Sequence, residues 1–327
     1  MVPIISIVIP AFNEQESLPI LCERLDDVLQ NFSSNYEIII VDDGSRDSTW
    51  SVLEKLHQDN PSILGIRLSR NFGHQNALLA GIHAARGHAV ITMDADLQHP
   101  PETIPKLLKY WQKGYKIVNT VRLSTERESA PKRLTSRLFY RVFSWITGSS
   151  IKRGMADFRL LDREVIEILK QFHEPHIFLR GLIQWMGFRT AEVGFIAPSR
   201  QSGQSKYSWR AMFRLALVGI TSFSILPLRL SILIGMVTAL LAFCELFYVL
   251  VVALVYKTSL PGWASTLGVI SFLFGILFVI LGMVGEYIGR IFEVVKSRPL
   301  FIVEKRLDLS NEGTLDPPKV GRTHSHD

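Results

Sequence analysis

Four times in the first hundred residues, a short apolar run stops at a cluster of polar residues. Ile4 to Ile9 ends in Pro10-Ala11-Phe12-Asn13-Glu14, and Glu37 to Val41 ends in Asp42-Asp43-Gly44-Ser45. Leu64 to Leu68 ends in Ser69 to Gly73, and Ala89 to Met93 ends in Asp94 to Gln98. Runs of this length, rich in Ile and Val, suit buried strands. The first intervening stretch places Leu18, Leu21, Leu25, Val28, Leu29 and Phe32 at helical spacing, and Ser48 to His57 and Gln75 to Ala85 read as two more helices. Strands alternating with helices predict an α/β fold with a mainly parallel sheet covered on both faces. Ligands of such sheets bind outside the carboxyl ends of the strands. All four clusters lie there, so the pattern predicts one site built from four loops.

The run MDADLQHPPE sharpens that site. Alternate residues on a strand point the same way. Asp94 and Asp96 can therefore converge on one hard divalent cation, Mg2+ or Mn2+, which prefers oxygen ligands. A cation held by few protein groups keeps positions open for phosphate oxygens, which suits a departing nucleoside diphosphate. A bare Asp-x-Asp is more often an acidic turn; the three companion clusters tip the reading to a site.

The 327 residues exceed one such domain, and the apolar share of 47% is concentrated toward the C-terminal end. Leu230 to Tyr256 is almost uninterruptedly apolar, and Leu267 to Gly285 is a second such segment. At 1.5 Å per residue the first is about 40 Å long, enough to cross a bilayer with tilt. Lys206, Arg210, Arg214 and Arg229 precede the pair, and Arg290, Lys296 and Arg298 follow it; Lys257 is the only basic residue in the connector. The positive-inside rule then puts the catalytic domain and both termini in the cytoplasm, with a multi-pass anchor in the plasma (inner) membrane. Glu245 is costly in lipid and is expected to face a partner helix. Glycines at 268, 275 and 282, with a spare strand after Pro299, suggest a homo-oligomer. The N-terminus runs directly into a strand, with no signal peptide. Cys22 and Cys244 lack metal spacing and read as buried thiols. The net charge of +6 suits anionic lipid or phosphate; no nucleic-acid-binding motif accompanies it.

The series IVIPAFNE, IVDDGSRDST, SRNFGHQNALLAG and MDADLQHPPE resembles the nucleotide-sugar domain of family 2 glycosyltransferases, which have the GT-A fold. GMADFRLLDREV and RQSGQSKYSW are similar to the polyprenyl-phosphate branch, which includes dolichol-phosphate mannose synthases and bactoprenol (undecaprenyl-phosphate) glucosyltransferases. The resemblance spans roughly residues 3 to 300 and is strongest to the bactoprenol enzymes. It implies inverting, metal-dependent transfer of a hexose, glucose first, from a UDP-sugar to polyprenyl phosphate. GDP-mannose, or the UDP donor of 4-amino-4-deoxy-arabinose, is the alternative. Pro10, Ala11, Asn13, Glu14, Asp42, Asp43, Arg70, Asn71, Gly73 and Asp94 would bind the donor nucleotide, with Asp42 at the uracil edge. Asp94 and Asp96 would hold the metal, or one of them would reach it through water or the ribose. Asp96, Gln98 and Asp157 would form the catalytic set.

The acceptor side is less specific. Arg122 to Arg141 holds six basic residues and two glutamates, either a solvated basic face or a loop that draws in a lipid phosphate. The resemblance implies acceptor contacts at Arg122, Lys132, Arg133 and Ser136, with Arg200 and Lys206 beyond them. Asp157 would be either a general base or a positioning group, since a phosphate monoester is already largely dianionic at pH 7. A processive polysaccharide synthase shares the fold, but its Gln-x-x-Arg-Trp motif is absent and two spans are too few to thread a polymer. A non-enzymatic scaffold would be expected to have lost the acids. The expected layout is a GT-A domain over 1–208, an amphipathic juxtamembrane helix over 209–228, and transmembrane helices over 229–289 (about 230–256 and 267–287). A juxtamembrane helix and possible edge strand over 290–309 and a disordered tail over 310–327 complete it.

Overall fold

The structure, a computed structural model, describes residues 4–30, 35–123, 155–172, 179–196, 226–251, 254–255 and 262–307. They fall into two units, a sheet domain that includes residues from 299 onward and a unit of apolar helices.

The sheet domain opens with β1 (Ile5–Ala11), β2 (Tyr36–Asp42), β3 (Ile63–Leu68) and β4 (Ala89–Thr92), all parallel, side by side in the order β4-β1-β2-β3. The crossovers are α1 (Ser17–Gln30), α2 (Thr49–Asp59) and α3 (His74–Ala84). Alternation along β1 divides the core. Ile5, Ile7 and Ile9 join Leu21, Leu25 and Leu53 on one face, and Val8 joins Leu78 and Ile82 of α3 on the other. Cys22 is buried in α1, and burial, with the charge of Asp26, pushes its thiol up to about 12.

The second half breaks the parallel pattern. A 3-10 turn (Pro101–Thr103) and α4 (Ile104–Gln112) lead to β5 (Ile117–Arg122). Then β6 (Met155–Asp162) runs antiparallel between β4 and β5. After α5 (Arg163–Leu169) and α6 (Leu179–Trp185), β7 (Thr190–Phe195) lies parallel to β5. The order is β7-β5-β6-β4-β1-β2-β3-β8, a mixed α/β, Rossmann-like GT-A sheet whose first four strands carry the parallel alternation. The strand after Pro299, β8 (Val303–Leu307), pairs antiparallel with β3. That corrects the expectation of a strand without a partner, because Leu307 also packs over Gly65 and completes its own core.

In the second unit, α7 (Leu226–Val251) and α8 (Trp263–Val295) contact each other. Where two membrane-spanning segments were expected, one described segment is long and apolar enough to cross a membrane, Phe272–Val295. The apolar stretch of α7, Ser231–Glu245, is shorter. The helix also runs on through 286–295, where a separate surface helix was expected. Nothing there interrupts the backbone hydrogen bonds, and Lys296 N still donates to Phe292 O before Pro299 is reached. Cys244 is exposed on α7, against the expectation of a buried thiol, and Glu245 beside it is exposed within the single chain. The expected helix over 209–228 lies outside the described residues except for its last positions, and the tail over 310–327 lies wholly outside them.

The loops at the carboxyl ends of the strands interlock, and Gly44 is the tightest point. It has φ +68°, and a Cβ there would stand 2.6 Å from the carbonyl carbon of Arg70 and 2.8 Å from the nitrogen of Asn71. A left-handed non-glycine residue costs about 1–2 kcal/mol before any clash. Gly44→Ala should therefore destabilise the sheet domain by more than about 2 kcal/mol. Denaturant melts read this directly, and an unchanged midpoint would mean the loops separate without cost.

Candidate functional site

Three loops form the first half of the site. Asp42, wholly buried at the end of β2, accepts a hydrogen bond from Ser45 N (2.8 Å) through Oδ1. Its Oδ2 is enclosed without a hydrogen bond, 3.6 Å from Arg67 Nε. The backbone of Pro10 and Ala11 ends alongside, with Asp43 N donating to Ala11 O (2.9 Å). Asn13, at φ 58°, donates its backbone N–H to Ser45 Oγ (2.9 Å) and accepts from Arg46 N (2.9 Å). Glu14 N donates to Thr49 Oγ1 (2.9 Å). Asp43, expected among the nucleotide ligands, uses both oxygens inside the protein: Phe72 N donates at 2.7 Å and Gly73 N at 2.9 Å. Its contribution is to clamp the loop that presents Arg70 and Asn71. Both are exposed, with the Arg70 guanidinium 4.1 Å above the Phe72 ring.

At the end of β4 the expected acids come together. Asp94 Oδ1 is enclosed and has no hydrogen-bond partner; its nearest cation is His74 Nε2 at 3.5 Å. Burial raises the Asp94 pKa, and the charges of Asp157 and Asp96 add to this against the opposing His99 and His74. Glu14 is raised too, by burial first, with Asp96, Asp47 and Asp94 contributing. Burial is the main cause of both rises, and the neighbouring acids add to it. Asp96 is exposed, and its Oδ2 accepts from Gln98 Nε2 at 2.5 Å. Gln98 Oε1 in turn accepts from Arg122 Nη1 at 3.2 Å. One amide therefore links the residue expected to meet an acceptor phosphate to a residue expected at the metal. Behind them His99 is buried against Phe158, with ring centroids 5.2 Å apart, and its Nδ1 accepts from Asp94 N (2.9 Å). Burial lowers its pKa, so this neutral acceptor fixes the Asp94 backbone.

The reversed direction of β6 brings Asp157 to this edge, since Thr92 of β4 pairs with Arg159. Asp157 is buried. Arg180 grips it with two bonds of 2.8 Å, Arg159 Nη2 donates at 3.0 Å, and His74 Nε2 lies 3.6 Å away. Burial alone would raise its pKa, but the hydrogen bonds of Arg180 and His74 and the charges of both arginines hold it well below the usual carboxylate range. A carboxylate held so firmly ionised is a poor proton acceptor near neutral pH, which favours positioning of the two roles left open for it. His74 is pushed down by burial and, more strongly, up by Asp157 and Asp94, for a net rise.

The sequence reading missed His74, His99, Arg159 and Arg180. Arg159 left a signal, an arginine inside the apolar strand FRLL; Arg180 left none, because only the fold joins α6 to β6. Among the described residues no three His, Cys, Asp or Glu side chains cluster as a metal site. Lys132, Arg133, Ser136, Arg200 and Lys206 lie outside the described residues.

The model of glycosyl transferase family 2 matches residues 6–169. The chain is 37% identical to the SfII prophage-derived bactoprenol glucosyl transferase of Shigella flexneri, covering 92% of this chain and 97% of that one. It is 42% identical to an uncharacterized glycosyltransferase of Synechocystis sp., covering 91% and 94%. Of solved structures, the mannosyltransferase PcManGT of Pyrobaculum calidifontis is similar over 68% of this chain and 64% of that one, at 20% identity and a TM-score of 0.47. With the four loops, the paired acids and relatives matched over nearly their whole length, this chain belongs to glycosyl transferase family 2.

Proposed function

We propose that the protein transfers a hexose, glucose in the first instance, from a UDP-sugar to polyprenyl phosphate, with inversion. The observation that carries this is Asp94, whose enclosed Oδ1 has no hydrogen-bond partner at the carboxyl end of β4, with Asp96 and Glu14 nearby. Relatives named bactoprenol glucosyl transferase support the lipid acceptor and the glucose. Asp42, with the Pro10 and Ala11 backbone, would contact the uracil. Asp94 and Asp96 fit a divalent cation: two hard oxygen donors, one of them with an enclosed oxygen that has no hydrogen-bond partner. Mg2+ or Mn2+ held there would offset the charge that develops on the departing diphosphate.

An acceptor phosphate oxygen would then form a bond to C1 of the sugar as the bond from C1 to the β-phosphate oxygen breaks. Its electron pair leaves on UDP. One such displacement inverts C1. The dianionic acceptor has no proton to lose, so the step asks nothing of Asp157 as a base. Arg122, joined through Gln98 to Asp96, would meet the acceptor phosphate beside the donor diphosphate. The outward apolar side chains of α7 and α8, one with a segment long enough to span, support a membrane anchor; two spans with the sheet domain on the cytoplasmic side complete the reading.

Asp94→Asn should cut turnover by at least about 100-fold with the fold intact, since removal of charge stabilisation costs that much. EDTA should abolish transfer of radiolabelled glucose and Mn2+ or Mg2+ restore it; full activity in chelator would remove the metal from the mechanism. A lowered pKa means the ionised form of Asp157 supports the fold above the unfolded value and is lost only as pH falls through a value below the carboxylate range. Asp157 therefore cannot shape rates between pH 5 and 8. Asp157→Asn should lower kcat roughly 10- to 100-fold and leave in place the rise near pH 6 from the acceptor's second ionisation. A loss beyond about 10⁴-fold with binding unchanged would reinstate the general base. Reporter fusions at the C-terminus and in the connector between α7 and α8 should report opposite sides of the membrane. The same side for both would mean the helices lie in the interface or re-enter.

A further inference from the structure

One amide stands between Asp96 and Arg122. Gln98 is buried, and its two ends are not interchangeable, because a carboxylate only accepts and a guanidinium only donates. The amide nitrogen donates to Asp96 Oδ2 at 2.5 Å, and the amide oxygen accepts from Arg122 Nη1 at 3.2 Å. Both bonds meet a full charge, and bonds linked in such a chain polarise and strengthen one another. The Gln98 backbone N–H donates to the other oxygen, Asp96 Oδ1, at 3.1 Å. Asp96 is exposed, yet both of its oxygens accept from this one residue.

The turn that joins them is strained. Leu97 has φ 60°, in the left-handed region that a bulky side chain rarely enters. Such a conformation persists where its surroundings over-determine it, and here the two bonds from Gln98 to Asp96 close the turn around Leu97. A divalent cation and the N–H groups of Gln98 draw on the same carboxylate charge. Charge withdrawn from Asp96 weakens its bond to Gln98, and a less polarised amide oxygen holds Arg122 less firmly. We propose that Gln98 is a positioning residue that couples the two substrates. It holds Arg122 until metal and diphosphate load at Asp96, then yields it to the acceptor phosphate, so the nucleotide sugar binds before the lipid. This rests on the proposed function for the metal at Asp96 and for the phosphate at Arg122.

Two measurements on the full-length enzyme in mild detergent test it, and neither reads turnover. The first needs no acceptor. Phenylglyoxal labels arginine, and its rate at Arg122 is followed by mass spectrometry with and without Mn2+ and UDP. Together these should speed labelling of the wild type about fivefold. In Gln98→Met, which grips neither neighbour, labelling should be fast under both conditions. Asp96→Asn, which removes the charge that holds Gln98, should make it fast without Mn2+ and UDP. The second measurement is the affinity for farnesyl phosphate, a short prenyl phosphate, by calorimetry. Mn2+ and UDP should tighten it about tenfold in the wild type and by less than about twofold in Gln98→Met. Labelling of the wild type that is unchanged or slowed by Mn2+ and UDP overturns the proposal. A rise of the same size in Gln98→Met overturns it too, since release would then bypass the amide. Should that variant fail to fold, slow labelling in Asp96→Asn overturns it equally. Faster labelling with no binding of farnesyl phosphate in either state would remove the acceptor from the functional reading and leave the coupling standing.

Discussion

A carboxylate sealed under a sheet edge costs several kcal/mol unless its charge is met, and Asp157 is met from two directions. Arg159 comes from the same strand, two residues on, and Arg180 from α6. The burial that pushes Arg159 down to about 10 leaves it fully charged near neutrality, so the pair stays ionic. Removing one partner of such a pair strands a buried charge, at a cost of about 3–5 kcal/mol. This interaction ties β6 to α6, and β6 in turn joins the two halves of the sheet. Thr92 Oγ1 of β4 donates to Asp157 O at 2.5 Å, anchoring the same residue from the parallel half.

The other half of the site is built of backbone. Asn13, Ser45, Asp43, Phe72 and Gly73 join the loops after β1, β2 and β3 through bonds of 2.7 to 2.9 Å. Gly44 lets the second loop lie directly on the third. Arg67 then connects this edge to β8, lying 3.6 Å both from the enclosed Asp42 Oδ2 and from Glu304. Asp42 is thus buried in a position held by strand, loop and the C-terminal strand together. A group meant to read the edge of a base gains from such rigidity, because a misplacement of 1 Å near a reacting centre is costly.

Periodicity and strand-end chemistry made the parallel half legible. Val8 against Ile7 and Ile9, or Asp42 after the run EIIIV, carry their meaning in spacing alone. The antiparallel half was hidden for a physical reason. The pattern of β6 does not say which way the strand runs, and its direction alone decides whether Asp157 meets Asp94 or lies at the far edge. Arg180 was invisible because a charged residue on a seven-residue helix reads as surface until its partner is known. The loop-clamping bonds of Asp43 were not legible, because adjacent acids at a strand end look alike in sequence. One is wholly buried beside Arg67 and the other, with the opposite side-chain direction, clamps the neighbouring loop. The apolar helices were recognised by composition, but their limits were not, since continuation of a helix past a span leaves no break in the pattern.

The low pKa of Asp157 and the proposed acceptor fit one another. A sugar hydroxyl must lose a proton as it attacks, and an enzyme that uses one needs a carboxylate or imidazole with a pKa close to working pH. Two arginines on that carboxylate would defeat the purpose. A phosphate monoester arrives already ionised and presents a different problem, the repulsion between its charge and the diphosphate of the donor. Cations in fixed positions would answer that problem, and Arg122 reaches the Asp94–Asp96 edge through Gln98. A site whose carboxylate is locked in ion pairs is poorly arranged for taking a proton from an alcohol.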